Sequence, residues 1–241
     1  AKIELIPGTL TVFTGYANMG KTTIVNTVVA YAIMRGWNVC IGSFETAPKP
    51  ILRDHLARAL IGCTTADFGQ HPQRGAALQT LEKQVRIISN SLNEDLEIDI
   101  DELLGLARVA AQRDGCKLFI FDPWNELEHK RNRDETLTEY IGRAIRAVKR
   151  FARTMNVAVW IVAHPTKPAK GVNQMPSLYD ISDSANWSNK ADYGLVYHRR
   201  DKTVNEGHLA VVKVRMGLPG ECCVEAVKYD FRTSRIAGFT S

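Results

Sequence analysis

The sequence predicts an α/β domain in which a mainly parallel sheet is flanked by helices. Up to about residue 165, short apolar segments alternate with amphipathic segments, the pattern of strands connected by crossover helices. Beyond about residue 190, three apolar segments follow one another without helices between them, which predicts antiparallel strands at the C-terminal end. No internal repeat or linker-like segment interrupts the chain. We therefore expect one domain that spans residues 1–241.

Local signals place the individual elements. Short apolar segments predict parallel strands at 10–14, 38–43, 117–121 and 157–163. Apolar residues at helical spacing predict helices at 21–34, 48–60, 73–89 and 136–155. A further helix is expected to begin at Asp101, an N-cap residue, and to end at Asp114 and Gly115. The C-terminal strands are predicted at 191–198, 208–214 and 223–229.

Composition narrows the class of protein. A hydrophobic fraction of 45% and a charged fraction of 24% are typical of a folded chain with a substantial core. The apolar runs are too short to cross a bilayer and the N-terminus has no signal-peptide pattern, so we expect no membrane association and a cytoplasmic location, in a bacterial or phage-infected cell. The net charge of +5 mildly favours a polyanionic partner. The cysteines are five in number and lack CxxC spacing, which predicts core residues in a reducing compartment.

A phosphate-binding loop lies between the first strand and the first helix. Residues 15–22 read Gly-Tyr-Ala-Asn-Met-Gly-Lys-Thr, the pattern GxxxxGKT. Its glycines let backbone N–H groups converge on phosphate oxygens at the start of a helix. Lys21 is expected to reach the β- and γ-phosphates, and the Thr22 hydroxyl to ligate Mg²⁺. The sequence thus predicts ATP, or another NTP or dNTP, with Mg²⁺, bound by Gly15, Asn18, Met19, Gly20, Lys21, Thr22 and Thr23.

Two carboxylates follow predicted strands. Asp122 ends an apolar strand, the position at which nucleotide hydrolases with such a loop present a carboxylate to Mg²⁺. An Asp at the end of a strand also serves as a cap or turn residue. Glu45 follows the second strand, near the edge at which open α/β sheets bind ligands. There it could polarise a water that attacks the γ-phosphate. From spacing alone, a solvated surface Glu is an equally good interpretation.

The order of these motifs resembles the replicative hexameric DNA helicases of the RecA superfamily, which are DnaB-like. The likeness is strongest to the helicase half of phage primase-helicases and of Twinkle-type helicases. It is carried by residues 15–22, Glu45, Asp122 with Pro123, and His164. The segment 179–192 resembles the fourth helicase motif, which lines the central channel, and 213–215 resembles the Lys-x-Arg element. The resemblance covers about residues 8–235.

The resemblance implies a role for each matching residue. Glu45 would be the general base, and His164 would sense the γ-phosphate. Arg215 would be an arginine finger that is donated in trans, with Lys213 beside it. Arg199 and Tyr229 would pack around the adenine. With Lys21, these roles give the predicted catalytic set: Lys21, Glu45, His164 and Arg215.

The resemblance also implies an ATP-hydrolysing motor that translocates on single-stranded DNA and unwinds duplex DNA during replication. Such a motor works as a homohexameric ring, and a primase domain or primase protein is a possible partner. The segment 165–176, rich in Pro, Lys and Gly, offers Lys167 and Lys170 to DNA phosphates, with Asn189 as a third contact. A merely solvated basic loop is the alternative. Asp183 departs from the family's usual glycine and puts a negative charge in a DNA-facing segment.

Two other functions remain open from the sequence. A recombinase-type filament protein would share the phosphate-binding loop, Glu45 and Asp122, but the fourth motif and the Lys-x-Arg element speak against it. A nucleotide-dependent signalling ATPase without a DNA role would bind nucleotide yet show no stimulation by single-stranded DNA. The lysine-bearing segment after His164 argues modestly against that function.

Overall fold

The computed structural model describes residues 4–90, 98–166, 174–181, 185–201 and 203–237. Strands within these ranges form one nine-stranded sheet. In chain order they are β1 (Leu10–Thr14), β2 (Asn38–Ser43), β3 (Val85–Ile88), β4 (Cys116–Asp122), β5 (Ala158–Ala163), β6 (Tyr193–His198), β7 (Glu206–Val214), β8 (Cys223–Asp230) and β9 (Arg235–Ala237).

Across the sheet the strand order is β3-β2-β4-β5-β1-β6-β7-β8-β9. The first six strands in this order are mutually parallel, and β7, β8 and β9 continue the sheet in antiparallel fashion. The predicted fold class is confirmed. We call the edge at which β1, β2, β4 and β5 end the carboxyl edge, and the edge at which they begin the amino edge. Because β7 runs antiparallel to β6, the residues after β7 lie at the amino edge.

Helices cover both faces of the sheet. They are α1 (Lys21–Met34), α2 (Arg53–Ile61), α3 (Arg74–Gln84), α4 (Ile100–Arg113), α5 (Leu137–Met155) and α6 (Asn186–Lys190). The start of α5 is held by a capping box, in which the Thr136 hydroxyl accepts from the Glu139 N–H and the Glu139 carboxylate accepts from the Thr136 N–H. Among the helices of the described residues, none is long and apolar enough to cross a membrane.

Alternating side chains of the strands build two cores. In β4, Phe119 and Phe121 point toward the core beneath α4, α5 and α6, whereas Leu118 and Ile120 point toward the core beneath α1, α2 and α3. Both faces of a parallel sheet are therefore buried, as its near-continuous apolar strands require. This arrangement leaves the two edges of the sheet to carry polar chemistry.

Three predicted boundaries are wrong. The helix predicted at 73–89 ends at Gln84, and Val85–Ile88 instead pairs with β2 as an edge strand. The helix expected from Asp101 begins earlier, because Asp99 is its N-cap and accepts N–H bonds from Asp101 and Glu102. The helix predicted from residue 48 is interrupted: Pro48–Leu52 is a short π-helical stretch in which Lys49, directly before Pro50, has an extended backbone, and the α-helix begins at Arg53. Strand β9 was not predicted.

The buried aromatic contact between α6 and the loop after β4 should contribute strongly to stability. Trp187 is fully buried, and its ring meets that of Trp124 edge-on with centroids 5.1 Å apart. We expect Trp187→Ala to lower the free energy of unfolding by about 3–5 kcal/mol, because it leaves a cavity in the core. Urea unfolding followed by circular dichroism measures this change. The control Tyr179→Ala removes a ring that is 66% exposed and should change the free energy by no more than about 0.5 kcal/mol.

Candidate active site

The phosphate-binding loop joins β1 to α1 at the carboxyl edge. Gly20 precedes α1 with a φ of 103°, and Asn18 has a φ of 59°, both in the left-handed region. A Cβ atom on Gly15 would lie 2.3 Å from the backbone oxygen of Tyr197 in β6. The loop therefore needs glycine at this position, because β6 runs directly beneath it. Helix α1 begins directly after Gly20, so its N-terminus, the end of a helix that favours anions, lies at this loop.

Lys21 is folded into this loop. Its side-chain nitrogen donates to the carbonyl oxygens of Gly15 at 2.7 Å and Tyr16 at 3.0 Å, and the residue is only 6% exposed. Burial lowers the pKa of Lys21 to about 8, while the nearby carboxylates of Asp122 and Glu45 act in the opposite direction. The side-chain nitrogen of Lys21 is thus buried near two carboxylates, and the effect of burial on its pKa outweighs theirs.

Asp122 and Glu45 are brought together by the pairing of β2 with β4. Ser43 lies opposite Asp122 in that register, and the Phe44 N–H donates to the Asp122 carbonyl oxygen at 3.2 Å. The Ser43 hydroxyl donates to the Thr46 carbonyl oxygen, which holds the turn that carries Glu45. The pKa of Asp122 is raised to about 6, first by burial and then by the Glu45 carboxylate, while the Lys21 charge acts in the opposite direction. Two acids and one base therefore share one electrostatic environment.

His164 follows β5 at the same edge. Its backbone N–H donates to the Asn125 side chain at 2.8 Å, and the Thr14 hydroxyl at the end of β1 donates to the Ala163 carbonyl oxygen at 2.7 Å. Burial lowers the pKa of His164, and the Lys21 charge lowers it further, whereas Glu126 acts in the opposite direction. The ends of β1, β4 and β5 thus place His164 beside the phosphate-binding loop.

Arg199 and Tyr229 are each connected to the turn between β6 and β7. The Arg199 guanidinium donates to the Val204 carbonyl oxygen, and the Asn205 side chain donates to the Tyr229 carbonyl oxygen. The Tyr229 ring also stacks edge-on against Phe231. Arg199 lies two residues beyond Tyr197, which underlies the phosphate-binding loop. Both residues therefore lie at the carboxyl edge, the edge that also carries that loop.

Arg215 and Lys213 lie at the amino edge of the sheet. The Arg215 N–H donates to the Asp192 carbonyl oxygen, and the Asp192 N–H donates to the Leu10 carbonyl oxygen at the start of β1, each at 2.8 Å. The five residues of β1 separate this point from the phosphate-binding loop by about 13 Å, at roughly 3.3 Å per residue. That distance exceeds the reach of an arginine side chain. Arg215 therefore cannot touch phosphates bound in its own chain's loop.

Of the three predicted DNA-binding residues, the structure describes one. Asn189 is exposed on α6 and lines a cavity of about 530 Å³ at the amino edge. Lys167 and Lys170 lie outside the described residues, as do residues 182–184 of the fourth motif, including Asp183.

Comparison with known proteins places the chain in a family. The family described as DnaB-like helicase C terminal domain matches residues 4–234. The chain belongs to this family.

Individual relatives agree with that assignment. The Twinkle homolog protein, chloroplastic/mitochondrial, of Arabidopsis thaliana is 31% identical over an alignment of 246 positions that covers 95% of this chain and 34% of that protein. This DnaB-like domain therefore spans about a third of the length of that relative.

Solved structures agree on the fold. A structure described as an ATPase domain has a TM-score of 0.80 at 14% identity, and the match covers 98% of this chain and 86% of that one. A DnaB-like replicative helicase, solved in a study of its interactions with primase, has a TM-score of 0.80 at 14% identity, and the match covers 96% of this chain and 57% of that one. The RecA-like core predicted for this DnaB-like domain is confirmed.

Sequence reasoning missed several residues of this site. Tyr197 underlies both glycines of the phosphate-binding loop, and Asn125 holds the backbone at His164. Asp192 holds Arg215, although the sequence offered it only as the last residue of a motif. The one signal that could have found Asp192 is a charged residue directly before an apolar strand.

The close approach of β6 to the phosphate-binding loop gives a test of this DnaB-like domain. Gly15→Ala places a methyl group against the Tyr197 carbonyl, so the loop must shift. We expect the affinity for ATP to fall about 10²-fold, since a displacement of about 1 Å has effects of that size. Equilibrium titration with a fluorescent ATP analogue measures the loss.

The matched control for this variant is Gly105→Ala. Gly105 lies within α4 and has no heavy atom within 4 Å of an added Cβ. It should leave nucleotide affinity unchanged and raise the free energy of unfolding by about 0.5–1 kcal/mol. Unchanged affinity in Gly15→Ala would contradict the role given to this contact.

The raised pKa of Asp122 predicts that its charged form lowers the stability of the folded chain. Because its pKa in the folded chain, about 6, exceeds the ordinary 3.8, the folded state retains a proton that the unfolded state releases. The free energy of unfolding therefore falls as the pH rises through this interval. We expect Asp122→Asn to raise the free energy of unfolding at pH 7 by on the order of 1 kcal/mol, and the gain to shrink at pH 5. Urea unfolding of the nucleotide-free protein at both pH values measures it.

Asp201→Asn serves as the control of opposite sign. Hydrogen bonds from the Thr203 hydroxyl and N–H lower the pKa of Asp201, so its charged form is favoured by folding. The Asn variant at this position should give no gain at pH 7. An Asp122→Asn variant that is less stable than the wild type at pH 7 would refute the electrostatic picture of the site.

Proposed function

We propose that this chain is the ATP-hydrolysing motor of a ring helicase that translocates on single-stranded DNA and unwinds duplex DNA during replication. One observation carries the proposal. The phosphate-binding loop, Glu45, Asp122 and His164 converge at the carboxyl edge, whereas Arg215 lies at the amino edge. An arginine at that place can complete a hydrolysis site only in a second copy of the chain.

The loop suits the triphosphate of ATP. Lys21 would exchange its contacts with two backbone carbonyl oxygens for contacts with phosphate oxygens, whose negative charge favours the ammonium form. The Thr22 hydroxyl and the Asp122 carboxylate are oxygen donors of the kind Mg²⁺ prefers, and the raised pKa of Asp122 indicates a carboxyl group that a cation would stabilise as the anion. Bound there, Mg²⁺ supplies charge neutralisation at the β- and γ-phosphates.

Hydrolysis would then use groups at both edges. Glu45 orients a water and takes its proton as the water oxygen attacks the γ-phosphorus. The bond to the β-phosphate oxygen breaks, and ADP leaves with the electron pair. Arg215 of an adjacent copy stabilises the charge that spreads over the transferred phosphoryl group, an effect typically of about 10³–10⁵ in rate. Lys213 lies two residues earlier in the chain, within β7. Arg199 and Tyr229 are proposed to flank the adenine beyond the loop.

DNA contact would be coupled to this chemistry through His164. This residue lies beside Lys21 and directly precedes the segment that carries Lys167 and Lys170, so a change at the γ-phosphate can reach that segment through one strand end. Phosphate contacts from Lys167, Lys170 and Asn189 would be independent of base sequence and sensitive to salt. Six copies arranged as a ring would present them to one strand.

Partners and location are part of the same proposal. The DnaB-like structural neighbour is described with its interactions with primase, and this chain spans a third of its Arabidopsis relative, so a primase domain or a primase protein is the proposed partner. The sequence predicts the cytoplasm of a bacterial or phage-infected cell. Because the Arabidopsis relative is described as chloroplastic/mitochondrial, the proposal extends to any compartment that holds replicating DNA.

Steady-state ATP hydrolysis tests the trans arrangement. We expect the rate per chain to rise with protein concentration and with added single-stranded DNA, and Arg215→Ala to lower it by about 10³-fold or more while ATP binding is retained. The control Arg232→Ala removes a guanidinium whose side chain is 90% exposed and should leave the rate unchanged. Strand separation of a forked DNA duplex is measured in parallel.

Other results would favour the rival functions. Equal hydrolysis with and without DNA, together with an unaffected Arg215→Ala variant, would exclude the helicase and favour a signalling ATPase. DNA-stimulated hydrolysis with filaments and no strand separation would favour a recombinase-type protein.

A further inference from the structure

A buried carboxylate holds Arg215 in place. Asp192 is 3% exposed, and its Oδ1 atom lies 2.6 Å from Nε of Arg215 and 2.7 Å from Nζ of Lys149. Its Oδ2 atom accepts the N–H of Leu10 at 3.0 Å. One carboxylate thus joins the start of β1, helix α5 and the residue that follows β7.

The guanidinium has further fixed contacts. A terminal nitrogen of Arg215 lies 3.2 Å from the carbonyl oxygens of Lys190 and Ala191, at the C-terminal end of α6. Lys213 donates to the carbonyl oxygens of Ser188 and Asn189 in the same helix. Carbonyl oxygens at a helix C-terminus carry partial negative charge, which suits these cations. Arg215 is therefore oriented before any second copy arrives, yet its side chain remains 40% exposed.

The surroundings make the negative charge of Asp192 necessary. The cavity of about 530 Å³ beside it is lined by six cationic side chains: Arg146, Lys149, Arg150, Arg153, Lys190 and Arg215. Like charges repel at such distances, and partial burial strengthens the repulsion. Asp192 pairs with two of these cations, Lys149 and Arg215. If its charge were lost, repulsion from the other cations would push Arg215 away from its present position.

We propose that Asp192 is a positioning residue for Arg215, one that fixes the guanidinium at the amino edge for use by the adjacent copy's nucleotide. The inference rests on the proposed function, since it assigns the means by which the trans arginine is held. Asp192 itself touches no nucleotide in either copy. Its effect is on the rate of hydrolysis in the neighbouring site and not on nucleotide binding in its own.

Two variants at Asp192 separate charge from geometry. Asp192→Asn keeps the size and one acceptor oxygen but loses the charge; Asp192→Glu keeps the charge but moves it by one methylene group. We expect both to lower kcat by about 10²-fold through misplacement of Arg215, with KM for ATP little changed. The unfolding midpoint should also fall, because each variant disturbs a buried, paired carboxylate; kcat is therefore measured at a temperature at which both variants are folded.

Lys149→Met is the matched control at the same carboxylate. It removes the other cation paired with Asp192 and leaves the pair with Arg215 in place. If Asp192 served only to attach α5 to the sheet, Lys149→Met would reproduce the loss. We expect this variant instead to retain kcat within a few-fold of the wild type. A kcat in Asp192→Asn equal to that of the wild type would overturn the proposal.

Mixing of two defective chains distinguishes this inference from the proposed function. Lys21→Ala chains lack a working loop but keep Arg215 and Asp192, so in mixed assemblies they can lend a well-placed arginine to an Asp192→Asn neighbour. DNA-independent ATP hydrolysis is measured, because it does not require every subunit to translocate. We expect the Asp192→Asn mixture to exceed the sum of its separate components, as should the reference mixture of Arg215→Ala with Lys21→Ala.

The outcomes are distinct. A rise in the Arg215→Ala mixture without a rise in the Asp192→Asn mixture means that Asp192 acts within its own subunit, which overturns the positioning role and leaves the proposed function standing. No rise in either mixture contradicts the trans arginine and with it both proposals.

Discussion

The parallel pairing of β1 with both β5 and β6 is the constraint on which the rest of the structure depends. This central strand has five residues, and each of its ends is tied to a neighbour by a side chain. At the amino edge the Asp192 carboxylate accepts the Leu10 N–H, and at the carboxyl edge the Thr14 hydroxyl donates to the Ala163 carbonyl oxygen. The phosphate-binding loop is attached to one end and Arg215 to the other. A single short strand therefore sets the distance between the phosphate-binding loop and Arg215.

The buried charges of the domain gather at these two edges, and they differ in how well they are compensated. At the amino edge, Asp192 has cationic and N–H partners that satisfy it within its own chain. At the carboxyl edge, Lys21 and Asp122 are both buried enough for their pKa values to move toward neutrality. The paired carboxylate at the amino edge is suited to keep Arg215 in one position. The carboxyl edge, where burial disfavours the charges of Lys21 and Asp122, is suited to gain stability when a charged ligand enters the loop.

Sequence reasoning succeeded where the deciding signal is local. The bounds of β1, α1 and β2 agree with the prediction because the glycine loop and the apolar runs sit within a few residues of each other. It failed at Val85–Ile88, whose strand character comes from pairing with Val39 to Gly42, more than forty residues earlier. The start of α4 was misplaced because two acidic residues, Asp99 and Asp101, compete for the N-cap, and the reciprocal bond from Glu102 selects the first. The partners of Asp192 are equally remote: Leu10 is 182 positions away.

The separation of the two edges also explains why a site of this kind depends on assembly. An arginine placed beside its own phosphate-binding loop would accelerate hydrolysis in every isolated chain, whether or not DNA were present. Here the full length of β1 separates Arg215 from the phosphate-binding loop of the same chain, so the arginine cannot reach that loop. Under the proposed function, hydrolysis would depend on the relative position of two copies, because Arg215 moves with one copy and the bound phosphates move with the other. Arg215 and Lys213 donate hydrogen bonds to carbonyl oxygens of α6. A ligand that displaces α6 would therefore also displace Arg215. Under the proposed function, contact with DNA at α6 and hydrolysis in the adjacent copy would therefore be linked through backbone carbonyl groups and the Asp192 carboxylate.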